Sequence, residues 1–468
     1  MDVTQLTLNQ ALKDLNQQKY SSFDLTQEFL SRIKKYNPPL NAFISLNPQA
    51  LTQAKQADQL RKQGLKKPLL GVPIALKDNF LLQGIKSTAA SLVLDNYLPH
   101  YNCTVANKFL EAGAIILGKT NLDAWGHGSS GEHSAYGITH NPYAYDRVTG
   151  GSSSGSGAAV AADLTFMGTG SDTGGSNRQP GSYCNVVGIK PTYGRVSRYG
   201  VIAMASSTDS MAPLAKTVWA AAKFLSVMAG HDPLDSTTSK LEVPAYHQNL
   251  DTRKNFTIGV IKEFFIGLDK KFVSVAESAI KKLESRGHTI KQISIPEVKF
   301  AYPMYCLTVF AEIASNLSRF DGIRYGNGRE KFGDEAKRRI MIGTHSASAG
   351  YSDKFYKQAM KARQVLTHLY HQAFESVDLI VGPVFPFKPF KHGEREVSPL
   401  KMYLSDILTV PANLTGNPAL SVPIEFVEGL PNGLQIIAKH FDELSMFQLA
   451  YQVEQEYQMY KVRPKLKP

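Results

Sequence analysis

Short apolar runs alternate along this chain with longer stretches whose apolar residues recur every three or four positions. GVPIAL at 71–76, AIILG at 114–118, FTIGVI at 256–261, DLIVG at 378–382, ALSVPI at 419–424 and LQIIA at 434–438 are rich in β-branched residues and predict buried strands. Residues 218–229, 271–286, 351–375 and 441–459 carry helical spacing. Near the N-terminus, Leu25, Phe29, Ile33 and Tyr36 share one helical face, and Ser21 and Ser22 can cap it. Pro38-Pro39 is expected to stop that helix, NAFIS at 41–45 reads as a short strand, and 48–63 as a polar helix ended by Gly64. Such alternation predicts an α/β sheet covered by helices on both faces. No Pro/Gly linker cleanly divides the 468 residues, and no repeat occurs.

Composition narrows the classes. With 43% hydrophobic and 20% charged residues the chain is an ordinary globular one, neither disordered nor a coiled coil. Cys103, Cys184 and Cys306 are too few and scattered for a disulfide framework or a zinc site. The N-terminus MDVTQLTLNQALKD lacks an apolar core and is not Arg-rich, so it is a poor signal or transit peptide. No apolar run approaches the roughly 18 residues of a membrane span. A cytoplasmic soluble protein is the expectation. The net charge of +12 raises a nucleic-acid partner. It does not come from residues 148–177, which hold no Lys or Arg; Lys461, Arg463, Lys465 and Lys467 form a basic tail, and residues 331–363 carry eight basic against three acidic residues. Both stretches read first as solvated surface.

Residues 126–200 hold 16 of the 36 glycines, with many serines. Alone, GGSSSGSG at 150–157 looks like a flexible linker. It leads straight into AAVAA, however, and a second turn, GTGSDTGGS, follows at 168–176. Small residues at that density suit close backbone approach. Gly151-Ser152-Ser153-Ser154-Gly155 fits G-x-S-x-G, but DRVTGG before it makes a poor strand for a nucleophile elbow. The second turn is better placed: Leu164–Gly168 can be a short strand, and consecutive glycines after it let N–H groups converge as an oxyanion hole beside Ser176. A base for that serine could be His127, His133 or His140, or Lys77 at the end of an apolar strand. A lysine there ordinarily snorkels to water; a buried one loses its charge and becomes a base. Cys184, in the apolar run SYCNVVGIKP, reads as a buried structural thiol rather than a nucleophile. The three histidines lack metal-ligand spacing, and no P-loop is present.

The segment GGSSSGSGAAVAADLTFMGTGSDTGGSNRQPGSYCNVVGIKPTYGRVSRYG at 150–200 closely resembles the amidase signature. That resemblance implies a single large domain over 1–468 with a central mixed sheet, its signature core at about 70–215 and specificity segments at about 300–425. It implies a Ser–cis-Ser–Lys triad: Lys77 in GVPIALKDN, Ser152 as the bridging serine after a cis peptide bond, and Ser176 as nucleophile. The spacings of 75 and 24 residues fit the family. Backbone N–H groups of Thr173, Gly174, Gly175 and Ser176 would then hold the oxyanion.

Over nearly the whole chain the resemblance is to the A subunits of glutamyl-tRNA(Gln)/aspartyl-tRNA(Asn) amidotransferases, carried by ASNLSRFDGIRYG at 314–326, KRRIMIGTHSASAGY at 337–351 and MYLSDILTVPANLTGNPALSVP at 402–423. It implies hydrolysis of glutamine. Arg339 would hold the α-carboxylate and Asp406 the α-ammonium, with Tyr305 lining the pocket and Ser129 in the loop facing the nucleophile. An Arg and an Asp together suit a zwitterion. It further implies partner subunits B and C, misacylated tRNA bound through the complex, no cofactor in this chain, and ATP and Mg in the partner. Ser154, Asn177, Asp209-Ser210-Met211-Ala212-Pro213 and a short 326–334 connection depart from the family pattern, and Asn177 touches rate or specificity because it adjoins the nucleophile. A stand-alone amidase for a small or acyl amide, and a non-catalytic tRNA-binding or scaffold subunit, are the rival readings.

Overall fold

The computed structural model describes residues 2–253, 255–323, 326–394 and 404–468. Residues 324, 325, 402 and 403 of the segments quoted above lie outside the described residues. Thirteen strands occur there: β1 Phe43–Leu46, β2 Pro73–Lys77, β3 Ile115–Thr120, β4 His140–Asn141, β5 Ala144–Val148, β6 Met167–Asp172, β7 Val187–Lys190, β8 Ser210–Ala215, β9 Thr257–Ile261, β10 Thr289–Ile293, β11 Leu379–Pro383, β12 Ala419–Val427 and β13 Leu430–Ala438. Eleven of them form one sheet in the order β1-β3-β2-β6-β8-β7-β12-β13-β11-β9-β10, and β4 and β5 form a small hairpin. The sheet is mixed: β3-β2-β6 and β11-β9-β10 are parallel, whereas β6-β8-β7-β12-β13-β11 is antiparallel.

Successive residues of a strand point to opposite faces, and here they enter two different apolar clusters. Val381 and Leu379 join the first and Ile380 the second; Ile436 joins the first and Ile437 the second. Helices Ser22–Leu40, Val218–Met228, Lys270–Ser285 and Glu443–Tyr457 feed the first cluster through Phe29, Leu225, Ile280 and Phe447. Helices Ala301–Leu317 and Tyr356–Ser376 feed the second through Val309, Phe310, Leu366 and Tyr370. Both faces are therefore covered, as the alternation of patterns predicts. None of the described helices is long and apolar enough to cross a membrane.

Four local expectations need correction. Pro38-Pro39 does not stop the first long helix, which runs to Leu40. The Asn41 N–H closes on the Asn37 carbonyl, the Asn37 side chain grips both backbone groups of Phe43, and Asn41 turns left-handed at φ 52°. The strand expected at 164–168 lies instead at Met167–Asp172. Its glycines permit this: a Cβ on Gly168 would stand 2.7 Å from the Ser156 side chain, so helix Ser154–Ala161 packs directly on the strand. The serine-rich run at 150–157 is buried throughout, which overturns the linker reading. The solvated reading of the basic stretches holds only in part. Arg463 pairs with Asp163 at 3.1 Å and donates to the Thr4 carbonyl, and Arg363 donates to Leu414 O at 2.7 Å.

Candidate active site

β2 and β6 run side by side and parallel, so their C-terminal ends lie together. That places Lys77 next to Ser171 and Asp172. The Lys77 N–H donates to Thr169 Oγ1 at 2.8 Å, which fixes the end of β2 against β6. The Gly151–Ser152 peptide bond is cis. Lys77 Nζ stands 2.9 Å from each of three hydroxyls, Ser152 Oγ, Ser153 Oγ and Ser171 Oγ. The amine is buried, and burial lowers its pKa from 10.5 to about 7, against the opposing pull of Asp123, Asp172 and Asp209. Snorkelling is thus excluded.

Ser176 follows Gly175, which adopts φ 136° and carries its backbone past Thr409 and Gln179 where a Cβ has no room. The Ser176 carbonyl accepts from Ser153 N–H at 3.1 Å, joining the two serine turns. Ser176 keeps 7% of its surface, and its hydroxyl makes no hydrogen bond among the described residues. The turn is held by Asp172, which accepts from Gly175 N–H at 2.8 Å and Asn177 N–H at 3.2 Å. Arg178 in turn pairs with Asp172 through Nε and Nη2, both at 3.0 Å. Burial alone would raise Asp172, but the Arg178 guanidinium, with the Asn413 amide and the Lys190 charge, outweighs it and holds the carboxyl at about 2. The Gly175 N–H is therefore committed to Asp172, whereas the N–H groups of Thr173, Gly174 and Ser176 make no hydrogen bond among the described residues. Thr173 is fixed by donating to Asp209 at 2.7 Å.

A second cluster lies beside the turn. A Cβ on Gly174 would meet the Tyr305 ring at 3.1 Å. Arg339 is reached through a close helix crossing, because a Cβ on Gly343 would stand 1.8 Å from the Phe310 carbonyl oxygen. The Arg339 guanidinium donates from Nε to Glu335 at 2.7 Å and lies 4.9 Å from the Phe310 ring centre. Asp406 accepts from Ser129 Oγ and from Gln179 Nε2, both at 2.6 Å. Burial raises Asp406 to about 6, while these donors and Arg339 moderate the rise. Burial raises the Tyr305 hydroxyl, and the charges of Arg339 and Asp406 act on it in opposite directions.

Lys77 and Ser152 are thus brought into direct contact, and Ser129 and Asp406 into another. His127 and His133 lie in the site loop without reaching Lys77 or the two serines by any hydrogen bond among the described residues. His127 is buried, and burial with the Arg339 charge pushes it well below 6.5. Cys184 is buried and its thiol is pushed up by burial, in keeping with a structural role. Sequence reading missed Ser153, Ser171, Gln179 and the Asp172–Arg178 pair. All four lie within the signature segment, but nothing in their spacing distinguishes a residue that orients the site from one that packs it.

The amidase family pattern matches residues 24–447. The chain belongs to the amidase family. It is 46% identical to the A subunit of the Caldanaerobacter subterraneus subsp. tengcongensis glutamyl-tRNA(Gln) amidotransferase, over 98% of this chain and 97% of that protein. Its fold matches the crystal structure of the corresponding glutamyl-tRNA(Gln) amidotransferase chain of Thermotoga maritima with a TM-score of 0.86 at 36% identity, covering 100% of this chain and 99% of that one. The native peptide amidase of Stenotrophomonas maltophilia matches with a TM-score of 0.83 at 28% identity, covering 99% of each chain. One amidase scaffold therefore accompanies both a peptide amidase and an amidotransferase subunit.

Proposed function

We propose that this chain is the glutamine-hydrolysing subunit of a tRNA-dependent amidotransferase, working through Ser176, Ser152 and Lys77. The contact of Lys77 Nζ with Ser152 Oγ at 2.9 Å, in a pocket that holds the amine near neutrality, carries the chemical part of this reading. Neutral Lys77 takes the Ser152 proton as Ser152 takes that of Ser176. Ser176 Oγ then bonds to the amide carbon, and the oxyanion settles among the N–H groups of Thr173, Gly174 and Ser176. The Lys77 ammonium returns the proton through Ser152 to the leaving nitrogen, ammonia departs, and an ester remains on Ser176. Water, deprotonated along the same path, releases the acid.

Glutamine suits the second cluster. Arg339 would hold its α-carboxylate and Asp406, steadied by Ser129 and Gln179, its α-ammonium, with Tyr305 lining the pocket. The identity to amidotransferase A subunits over almost the full length supports the same assignment. In that assignment the whole chain acts as one domain in the cytoplasm, with subunits B and C as partners. Ammonia passes to them, and ATP and Mg there activate Glu-tRNA(Gln), Asp-tRNA(Asn) or both. A stand-alone amidase is the second reading, favoured by the likeness to the peptide amidase.

Ammonia release by the purified chain from glutamine, asparagine and butyramide separates the two. Preference for glutamine, abolished in Ser176→Ala, supports the glutaminase; equal turnover of butyramide supports the stand-alone amidase. Retained release in Ser176→Ala removes the proposed nucleophile.

A further inference from the structure

The hydrogen bonds around Lys77 have a direction, and Asn177 sets it. The Asn177 Nδ2 lies 2.9 Å from the Ile189 carbonyl oxygen. A carbonyl only accepts, so Nδ2 is the donor and Oδ1 faces the other way. There it meets Ser153 Oγ at 2.7 Å, and an amide oxygen only accepts, so the Ser153 hydroxyl gives its proton to Asn177. The competing acceptor for that proton, the Ser171 carbonyl, stands at 3.5 Å. Ser153 therefore meets Lys77 Nζ, 2.9 Å away, with a lone pair.

A protonated lysine has three N–H donors and a neutral one has two, plus a lone pair. Three hydroxyls surround Nζ. If the Ser153 hydroxyl were free to turn, its proton could occupy the lone pair of the neutral amine and silence it as a base. With Ser153 locked as an acceptor, one N–H of the amine is spent on Ser153, and the lone pair is left for a hydroxyl that can donate. We propose that Asn177 is a positioning residue for the general base: by taking the Ser153 proton it removes one of the two hydroxyls, Ser153 and Ser171, that compete with Ser152 for the Lys77 lone pair. This rests on the reading of Lys77 as the base. Asn177 is buried, its Oδ1 lies over Gly170 of β6 where a Cβ would stand 1.9 Å away, and its bonds to Ser153 and to the Ile189 carbonyl of β7 fix the orientation of the amide.

The test replaces Asn177 with Leu, which keeps its branched shape and loses both polar atoms. The readout is the pH dependence of Ser176 sulfonylation by phenylmethylsulfonyl fluoride, which needs no glutamine, alongside ammonia release from glutamine. The titrating groups that face Lys77 are Asp123, Asp172 and Asp209, and Asn177→Leu removes none of them. Sulfonylation at the plateau should fall about tenfold, the size of one productive hydrogen bond. Its acid limb should move to lower pH, because the freed Ser153 proton stabilises the neutral amine. The KM for glutamine should stay unchanged. A merely structural defect would lower the rate without moving the limb. Ser153→Ala should abolish any further effect of Asn177→Leu, since the two act through one hydroxyl. An unmoved or rising limb in Asn177→Leu, or additive losses in the double variant, overturns the proposal. Sulfonylation of the wild-type chain with no turnover of glutamine would defeat the glutaminase reading alone, and a wild-type limb that survives Lys77→Ala would defeat the base on which the proposal rests.

Discussion

The ionisation of Lys77 should be visible directly in the pH dependence of the rate. An ordinary lysine at pH 7.5 is neutral in about one molecule in a thousand. Burial brings Lys77 to about 7, so about three quarters of the molecules carry a free base at that pH. The amine pKa is depressed, so activity is lost as pH falls through about 7 and gained as it rises. Positioned general bases contribute about 10²–10⁴-fold, and Lys77→Ala should lose that much in kcat. The assay is initial ammonia release at saturating glutamine from pH 5.5 to pH 9, for wild type and for the residual activity of Lys77→Ala. The wild type should show an acid limb centred near 7, and the variant should lack it. A limb that stays near 7 in Lys77→Ala would assign it to another group and refute the reasoning. A wild-type limb near the ordinary lysine value would show that burial does not depress this amine.

Three further outcomes follow from other parts of the site. Arg178→Met leaves the buried Asp172 carboxylate without its partner, at a cost of about 3–5 kcal/mol, read as a lower midpoint in chemical denaturation. Because Asp172 is depressed to about 2, the stability it contributes is present above the ordinary carboxyl range and is lost as pH falls through about 2; acid unfolding of Arg178→Met should therefore begin at higher pH than in wild type. Arg339→Ala should raise the KM for glutamine by about a hundredfold, the worth of a charge-assisted contact, and leave the turnover of butyramide unchanged; equal losses on both would refute the carboxylate clamp. Asp406 is raised to about 6, so the KM for glutamine should rise as pH falls below about 6, a limb separate from that of Lys77 and absent in Asp406→Asn.

The buried strands were legible because their apolar residues are contiguous, and the six runs at 71–76, 114–118, 256–261, 378–382, 419–424 and 434–438 all contain or overlap strands. Others hid for physical reasons. β6 is written MGTGSD, and glycine and serine have low strand propensity; it forms because Gly168 and Gly170 let Ser156 and Asn177 press against it. β10 is a half-exposed edge strand, TIKQI, whose alternation is too short to stand out. The proposed triad was legible only through the length of the signature, since Lys77 alone at a strand end reads as a snorkelling side chain. The three hydroxyls around Lys77 come from residues 75, 76 and 94 positions away, and no local pattern announces that they converge. Asn177 was visible as a departure from the family pattern, yet its role depends on the Ile189 carbonyl of a neighbouring strand.

The central claim is that Ser176 carries the acyl group while Lys77 and Ser152 move its proton. Peptide mapping by mass spectrometry of the full chain, acid-quenched during turnover of ¹³C-labelled glutamine, tests it most directly. The account predicts a labelled glutamyl ester on the peptide bearing Ser176, absent in Ser176→Ala. Label on Ser153, Cys184 or Cys306, or turnover of glutamine by Ser176→Ala, would contradict it.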